Sequence, residues 1–391
     1  MKKLILFLAI VMLISCESQN SKIDVDETMT IVQQQYSNML EEIDGEDLLP
    51  RSAENGKIRL VKPRDWTSGF FPGTMWYMYE YSKDEKWKEA AIQYTELLEN
   101  IQFNTGTHDV GFMMYSSYGN GLRLTKNEDY KKILIQSAKS LSTRYNPKIG
   151  CIRSWDWNAK TWQFPVIIDN MMNLELLMWA FDETRDSTFW NVAVSHANTT
   201  MKNHYRDDMS SWHVVDYDTL TGEPRMKQTH QGLSDESTWS RGQSWGLYGF
   251  VMMYYETQKP EYLDHAIKIA EFLMNHSNLP SDKVPYWDYD VTVKDEPRDA
   301  SAAALMASSL YRMSGYISEN KDKYIVFADE IMKSLTSDKY LSEVGSNGNF
   351  ILMHSTGSKP SPFEVDAPLN YADYYFVEAL LRRLELASIG Y

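Results

Sequence analysis

The chain has 391 residues, a formal net charge of −15, eight His and two Cys. That acidic excess argues against nucleic acid and anionic lipid as partners, and an anionic ligand would need a local cationic pocket. Two cysteines in a chain of this length give no disulfide framework, so stability must come from a buried core, which so long a chain can supply.

Residues 1–15 read as a signal sequence: Met1-Lys2-Lys3 is a basic start, and the eleven apolar residues Leu4 to Ile14 are too few to span a membrane. The stretch ends in Leu13-Ile14-Ser15-Cys16, which resembles the bacterial lipobox and makes Cys16 the expected lipidation site. Removing Lys2 and Lys3 takes the net charge from −15 to −17 and leaves Cys151 as the only unmodified thiol. The expectation is an exported lipoprotein of a Gram-negative-type bacterium, held at the membrane by its N-terminal lipid alone, with a linker over 16–25 and a single domain over 26–391.

From Asp26 to Ile43 the apolar spacing predicts an outer helix. After it a unit recurs about six times: a loop with Asp or Trp, an apolar aromatic-rich helix, a charged joint, and an amphipathic helix. The joints are Lys83 to Trp87, Lys126 to Tyr130, Arg185 to Phe189, Lys259 to Tyr262 and Asn320 to Tyr324. Behind them apolar residues return every three or four positions, as in Ala90, Ala91, Tyr94, Leu97, Leu98 and Ile101, the stripe of a helix buried on one face. The segments before the joints, Phe70 to Tyr81, Phe112 to Tyr118, Met171 to Phe181, Trp245 to Tyr255, Ala302 to Met313 and Ala372 to Leu381, are apolar nearly all round and belong inside.

Six inner and six outer helices predict an all-α chain folded as a closed (α/α)6 barrel, with an open helical array as the alternative. Repeat spacings of roughly 45 to 75 residues exceed the common solenoid periods. No Pro/Ser/Gly-rich linker interrupts the repeats. The stretches 204–235 and 279–297 are long loops with room for hairpins, and loops of that length in a compact domain are usually functional.

Inner helices that run in one direction bring the loops before them to one end. Those loops carry Arg64-Asp65-Trp66, His108-Asp109, Asp169-Asn170, Trp239-Ser240-Arg241, Arg298-Asp299 and Asp366. Helix N-capping accounts for any one of these Asp residues, Asp299 and Asp366 above all. Asp169 stands between Phe164-Pro165-Val166-Ile167-Ile168 and Met171-Met172, a dry setting that would raise its pKa as a general acid requires. Asp109 opens a helix with Gly111 close behind, and two carboxyl groups on adjacent inner helices suit sugar chemistry. Twelve Trp and twenty-five Tyr are a heavy aromatic load. Trp66, Trp155, Trp157, Trp212, Trp239 and Trp245 fall at the loop end, where indole faces can either pack the core or bind sugar rings.

Gly242-Gln243-Ser244-Trp245-Gly246 matches the nucleophile-elbow pattern but lacks the preceding strand that pattern needs. The His residues form no H-E-x-x-H or compact ligand set, and no glycine-rich phosphate loop precedes a helix, so neither metal nor other cofactor is expected. His196, His265 and His276 lie on outer-helix stretches as surface or packing residues.

Asp65-Trp66-Thr67-Ser68-Gly69-Phe70-Phe71-Pro72-Gly73, His108-Asp109-Val110-Gly111-Phe112, Ile168-Asp169-Asn170-Met171-Met172 and Trp239-Ser240-Arg241-Gly242-Gln243-Ser244-Trp245-Gly246 together resemble the unsaturated glucuronyl hydrolases of glycoside hydrolase family 88. The resemblance runs from about Tyr36 to Ala387 and implies an (α/α)6 barrel. It also implies a substrate left by a polysaccharide lyase, an oligosaccharide whose terminal uronic acid carries a C4=C5 double bond. On this resemblance Asp169 is the general acid/base and Asp109 the second essential carboxylate. His213, Gln231, Arg241 and Trp245 contact the unsaturated uronic acid, Arg241 offsetting its carboxylate, and Trp66 and Trp155 form stacking walls, with Trp157 an alternative to Trp155. His108 and Trp239 complete the substrate-binding set. The segment His354 to Lys359 gathers Ser355, Ser358 and Lys359, which can bind a sulfate or second sugar, or form a plain polar loop. The competing readings are a rhamnogalacturonyl hydrolase on pectin fragments, a glycan-binding lipoprotein without activity, and a glycosidase acting on saturated sugars.

Overall fold

The computed structural model of the chain describes residues 23–293 and 295–391. The expectations for the signal sequence, for Cys16 and for most of the 16–25 linker lie outside the described residues. In chain order come α1 (Val25–Glu42), α2 (Phe70–Ser82), α3 (Glu85–Glu96), α4 (Val110–Met114), a π turn over Tyr115–Gly119, α5 (Asn120–Thr125) and α6 (Glu128–Ser142). A 3-10 segment, Ile168–Asn173, then runs into α7 (Leu174–Thr184), followed by α8 (Ser187–Asn203), α9 (Ser240–Thr257), α10 (Pro260–Met274), α11 (Ala300–Ser314), α12 (Asp322–Leu335) and α13 (Asn370–Ser388).

The joints share one device. Lys83, Lys126, Arg185 and Gln258 each close an inner helix in the left-handed conformation. Asp84, Asn127 and Asp186 then cap the next helix by accepting from the N–H of Lys86, Asp129 and Thr188. At the fourth joint Pro260 takes the first helical position, where its missing donor costs nothing. The aromatic residue after each joint, Trp87, Tyr130, Phe189, Tyr262 or Tyr324, is buried and locks the reversed helix onto its predecessor.

Each amphipathic helix therefore lies outside the apolar one before it. The inner helices α2, α4–α5, α7, α9, α11 and α13 pack side by side, and α13 returns to α2, which closes the ring. This is the expected (α/α)6 barrel. The buried sides explain the composition: α9 and α11 are buried almost throughout, whereas α6 and α12 bury one stripe. Ring closure needs close backbone approach. A Cβ at Gly73 would lie 2.6 Å from the Tyr374 ring and 2.7 Å from the Ser116 carbonyl, so α13 and the π turn both crowd α2 there.

The second inner helix is longer and less regular than its sequence suggests. It runs from Val110 to Thr125 through the π turn, whereas apolar residues alone marked only 112–118. Short strands decorate the loop end. The hairpin β1 (Leu49–Glu54) with β2 (Lys57–Val61) precedes α2, and β3 (Tyr145–Asn146) pairs with β4 (Cys151–Ile152). β5 (Pro165–Ile167), β6 (Val214–Tyr217) and β7 (Pro224–Gln228) form an antiparallel sheet, and β8 (Ser355–Ser358) pairs with β9 (Phe363–Ala367). The 204–235 stretch thus holds the β6–β7 hairpin, while 279–293 and 295–297 make only isolated bridges, Trp239 to Asp288 and Tyr286 to Arg298. His196 is fully buried and its Nδ1 accepts from the Ile152 N–H at 3.0 Å; His265 packs between Tyr205 and Phe250.

At the opposite end, where the inner helices finish, a cavity of about 1010 Å³ is lined by tyrosines and ionisable groups. Glu378 there accepts from the hydroxyls of Tyr77 and Tyr248 at 2.9 Å each and pairs with Arg382 at 2.9 Å.

Gly73→Ala should lower unfolding stability by about 1–3 kcal/mol through overpacking. Urea unfolding followed by circular dichroism would read it, and an unchanged midpoint would mean that α2, α13 and the π turn can separate freely.

Candidate active site

The loops before α2, α4, α7, α9 and α11 converge at one end of the ring, and the Asp residues on them behave differently. Asp299 is the N-cap of α11: its Oδ1 accepts from the Ser301 N–H at 3.1 Å. Asp65 closes a local turn by accepting from the Thr67 N–H at 3.0 Å. Asp366 caps nothing. It sits in β9, is exposed, and pairs with His354 Nδ1 at 2.6 Å, so it does not belong to the first turn of an inner helix. Asp109 and Asp169 stand at helix starts without making a side-chain cap, which leaves both carboxylates free for other work.

Asp169 lies in the first turn of the 3-10 segment and is 8% exposed. Its Oδ2 has no hydrogen-bond partner and faces His213 Nε2 at 3.7 Å. Burial pushes its pKa up to about 6; His108 and Arg241 oppose that rise and Asp109 adds to it. Asp109 is only half-buried. Burial raises its carboxyl too, but His108 Nε2 at 3.1 Å, the Thr107 hydroxyl at 2.5 Å and Arg144 outweigh it and hold Asp109 below the usual carboxylate range. The two acids are therefore pushed apart, one toward a proton and one toward charge, the division that acid and base roles require. Asn173 docks their helices together: its Oδ1 accepts from the Phe112 N–H at 2.8 Å, and a Cβ at Gly111 would lie 2.5 Å from its Cα.

His213 is buried and held by its backbone neighbours. Its Nδ1 accepts from the N–H groups of His230 and Gln231, both at 3.1 Å, so Nε2 carries the ring proton and points it at Asp169. Desolvation, with His230 and Arg241 nearby, drives its pKa well below the usual value and keeps the ring neutral. Trp239 covers the ring at 4.4 Å. Gln231 turns its amide to the Gly357 carbonyl at 3.0 Å.

Arg241 is fully buried, and most of its guanidinium is engaged. Nη1 donates to Asp299 at 2.7 Å and to the Thr356 carbonyl, and Nη2 donates to the Gly357 carbonyl at 2.6 Å. Only Nε is unpartnered. The expected clamp for a substrate carboxylate is thus first a brace joining α9, α11 and β8. Ser355 and Ser358 on β8 are buried with unpartnered hydroxyls, but Lys359 is paired with Glu296, which also accepts from the Trp287 indole at 2.9 Å.

The indoles occupy distinct positions. Trp66 is half-buried against Phe112 at 5.6 Å and Tyr371 at 5.0 Å. Phe112 also meets the fully buried Trp245 at 5.1 Å. Trp155 is stacked under Trp157 at 4.8 Å and 16°, with Trp162 edge-on, so the exposed indole of that trio is Trp157, 48% exposed. Trp212 lies beneath Arg206 and Lys227. Sequence reasoning missed Thr107, Asn173 and Asp288. Thr107 stands directly before His108-Asp109 and Asp288 within the 279–297 loop, but the partners that give these residues their roles are distant in sequence or unmarked by any pattern.

Residues 47–382 match the model of Glycosyl Hydrolase Family 88. An unsaturated glucuronyl hydrolase of Formosa agariphila is 48% identical over 331 residues, covering 84% of this chain and 82% of the relative. The crystal structure of an unsaturated glucuronyl hydrolase specific for heparin superposes with a TM-score of 0.90 at 47% identity, covering 93% of this chain and 98% of the other. A mutant of the Streptococcus agalactiae enzyme complexed with dGlcA-GalNAc6S superposes with a TM-score of 0.80 at 29% identity, covering 93% and 92%. The chain belongs to glycoside hydrolase family 88. It is a glycosidase with unsaturated glucuronyl hydrolase activity, hydrating the C4=C5 double bond of terminal unsaturated uronic acids, and the pectin-fragment alternative is not favoured.

The raised pKa of Asp169 has a stability consequence whose sign follows from linkage. The fold prefers the protonated acid, so the ionised form costs stability above about pH 6 and the cost vanishes below the unfolded pKa. Asp169→Asn should therefore be more stable than the parent at alkaline pH, by about 3 kcal/mol, with the gap closing in acid. Thermal melts across pH would show it; a constant gap would place the shift elsewhere.

Proposed function

We propose that Asp169 is the proton donor and general base of this hydration, Asp109 the charge-stabilising carboxylate, and a glycosaminoglycan lyase product the substrate. The observation that carries the reading is the buried, unpartnered Oδ2 of Asp169, protonated below about pH 6 and facing the Nε2–H of a neutral His213. Protonated Asp169 delivers its proton to C4 of the vinyl ether. Positive charge then develops at C5 and the ring oxygen, where the ionised Asp109 offsets it. The Asp169 carboxylate next takes a proton from a water that adds to C5. The resulting hemiketal opens and expels the aglycone, and Asp169 ends as it began.

The His213 proton and the Arg241 Nε edge can orient the uronic acid, with Trp66 and Trp157 as apolar walls. The heparin-specific relative and the GalNAc6S complex support a glycosaminoglycan source.

Asp169→Asn should reduce turnover by about a thousandfold or more while leaving the fold intact. In the parent, activity should fall as pH rises through about 6, because the donor must carry a proton at the start of the cycle. The assay is loss of the conjugated ultraviolet absorbance of lyase-generated chondroitin and heparin disaccharides; near-normal turnover by the variant would refute the role.

The N-terminal reading extends the proposal: Cys16 carries lipid and holds the enzyme at the membrane of a Gram-negative-type cell. The basic start, the short apolar core and the lipobox-like Leu13-Ile14-Ser15-Cys16 support it. Cys16→Ala should release the mature protein from the membrane fraction and abolish the mass increment of lipidation; unchanged partitioning would overturn the anchor.

A further inference from the structure

A carboxylate from one long loop controls the shape of the other. Asp288 is fully buried. Its Oδ2 accepts from the Leu233 N–H at 2.9 Å and the Ser237 hydroxyl at 2.7 Å, and its Oδ1 accepts from the Asp290 N–H at 2.9 Å. Asp290 in turn accepts from the Thr238 N–H at 2.6 Å, and residue 288 bridges to Trp239. Asp288 thus ties the loop preceding α11 to both sides of the turn preceding α9.

That turn, residues 229–235, is the one whose N–H groups bind His213. It has few ways to relax. The Gly232 N–H donates to the Thr229 hydroxyl at 2.8 Å, the Thr229 N–H donates to Asp235 at 2.9 Å, and the Ser234 N–H donates to the Ser237 hydroxyl at 3.0 Å. A Cβ at Gly232 would lie 2.7 Å from the Thr229 hydroxyl and 3.1 Å from Asp288 Oδ2, so the turn is pressed onto the carboxylate. With the turn in this shape, the His230 and Gln231 N–H groups converge on one ring nitrogen.

We propose that Asp288 is a positioning residue that fixes the tautomer of His213: by holding the 229–235 turn it keeps two main-chain donors on Nδ1 and so keeps the proton on Nε2, toward Asp169 and the sugar. The inference rests on the reading that Asp169 and His213 face the substrate. A neutral His without such a lock exchanges its proton between nitrogens, and a ring with a free Nδ1 can be protonated. The lock excludes both states. The groups facing the ring are Asp169 across the site, His108, His204 and His230 at its flanks, and Arg241 beyond Trp239; all but Asp169 disfavour a second proton on it.

The test compares the parent with Asp288→Asn, which keeps the size of the side chain but sets an amide N–H₂ against one of the donors. Two readouts are needed: kcat and KM on an unsaturated disaccharide across about pH 5 to 8, and ¹⁵N chemical shifts of the histidine rings. The expected outcome is a fall in kcat of about 10- to 100-fold with KM little changed. An additional loss of activity toward acid, absent from the parent, should accompany it, with His213 moving from a pure Nε2–H signature to a mixture. A variant that loses the same fraction of activity at every pH and keeps the Nε2–H signature would overturn the proposal and leave Asp288 merely structural. Should Asp288→Asn fail to fold, Asp235→Ala, which removes the acceptor of the Thr229 N–H, decides. Asp235 is exposed and holds the same turn through Thr229, so the same shifts are expected at smaller size, and unchanged shifts and pH profile would overturn the proposal. If the parent itself leaves the double bond untouched, the functional reading fails, whereas the ring shifts still report whether Asp288 sets the tautomer.

Discussion

A guanidinium shut away from water holds the site end of this barrel together. Arg241 lies in the first turn of α9, its counterion Asp299 caps α11, and its remaining Nη donors reach two carbonyls of β8. Neither partner is solvated, so neither can lose the other cheaply: an uncompensated buried charge costs about 3–5 kcal/mol. Two inner helices and the last hairpin are thereby fixed in relation to one another. The pairing also limits what Arg241 does to Asp169. Its charge pulls the acid's pKa down, yet it is already balanced by Asp299, and the desolvation of Asp169 prevails.

Within that frame two chemically identical side chains sit in different settings. Asp109 rests in a half-open position with a hydroxyl and an imidazole donating to it, whereas Asp169 is buried beside His213 and keeps one oxygen unsatisfied. Nothing intrinsic to aspartate separates them. The separation comes from where the helix starts place them and from the Asn173 contact that docks one start against the other. A buried acceptor without a partner is costly to a fold, and its retention fits a group that awaits a ligand.

Much of this was legible in the sequence because it is written locally. Charged joints with aromatic lids behind them recur at fixed offsets, so the alternation of inner and outer helices could be read off the chain, and the structure adds that the joints close left-handed and are capped by Asp or Asn. The dry flanks of Asp169 were equally local. What could not be read depends on distant partners. Asp366 resembles a helix cap in sequence but lies in a strand beside His354, and Arg241 looks like a free cation until Asp299 and β8 fold onto it. The π turn escaped notice because an extra residue in a helical turn leaves no mark in apolar spacing. Trp155 and Trp157 are separated by one residue, and only the stacking of one over the other shows which indole meets solvent.

The seam that closes the ring joins residues from opposite ends of the chain. Tyr77 on α2 meets Tyr374 on α13, and Asn370 donates to the carbonyls of Pro50 at 2.8 Å and Thr67 at 3.0 Å. As the polypeptide folds, the early hairpins of helices can form and stack, but the first inner helix must wait for the last one before its seam is covered. Contacts this remote in sequence form late. A chain released early would therefore expose an apolar edge along α2 and lack the β8 carbonyls that anchor Arg241. Maturation of the site and closure of the barrel are consequently the same event, and a truncated product would be a substrate for proteases before it was a catalyst.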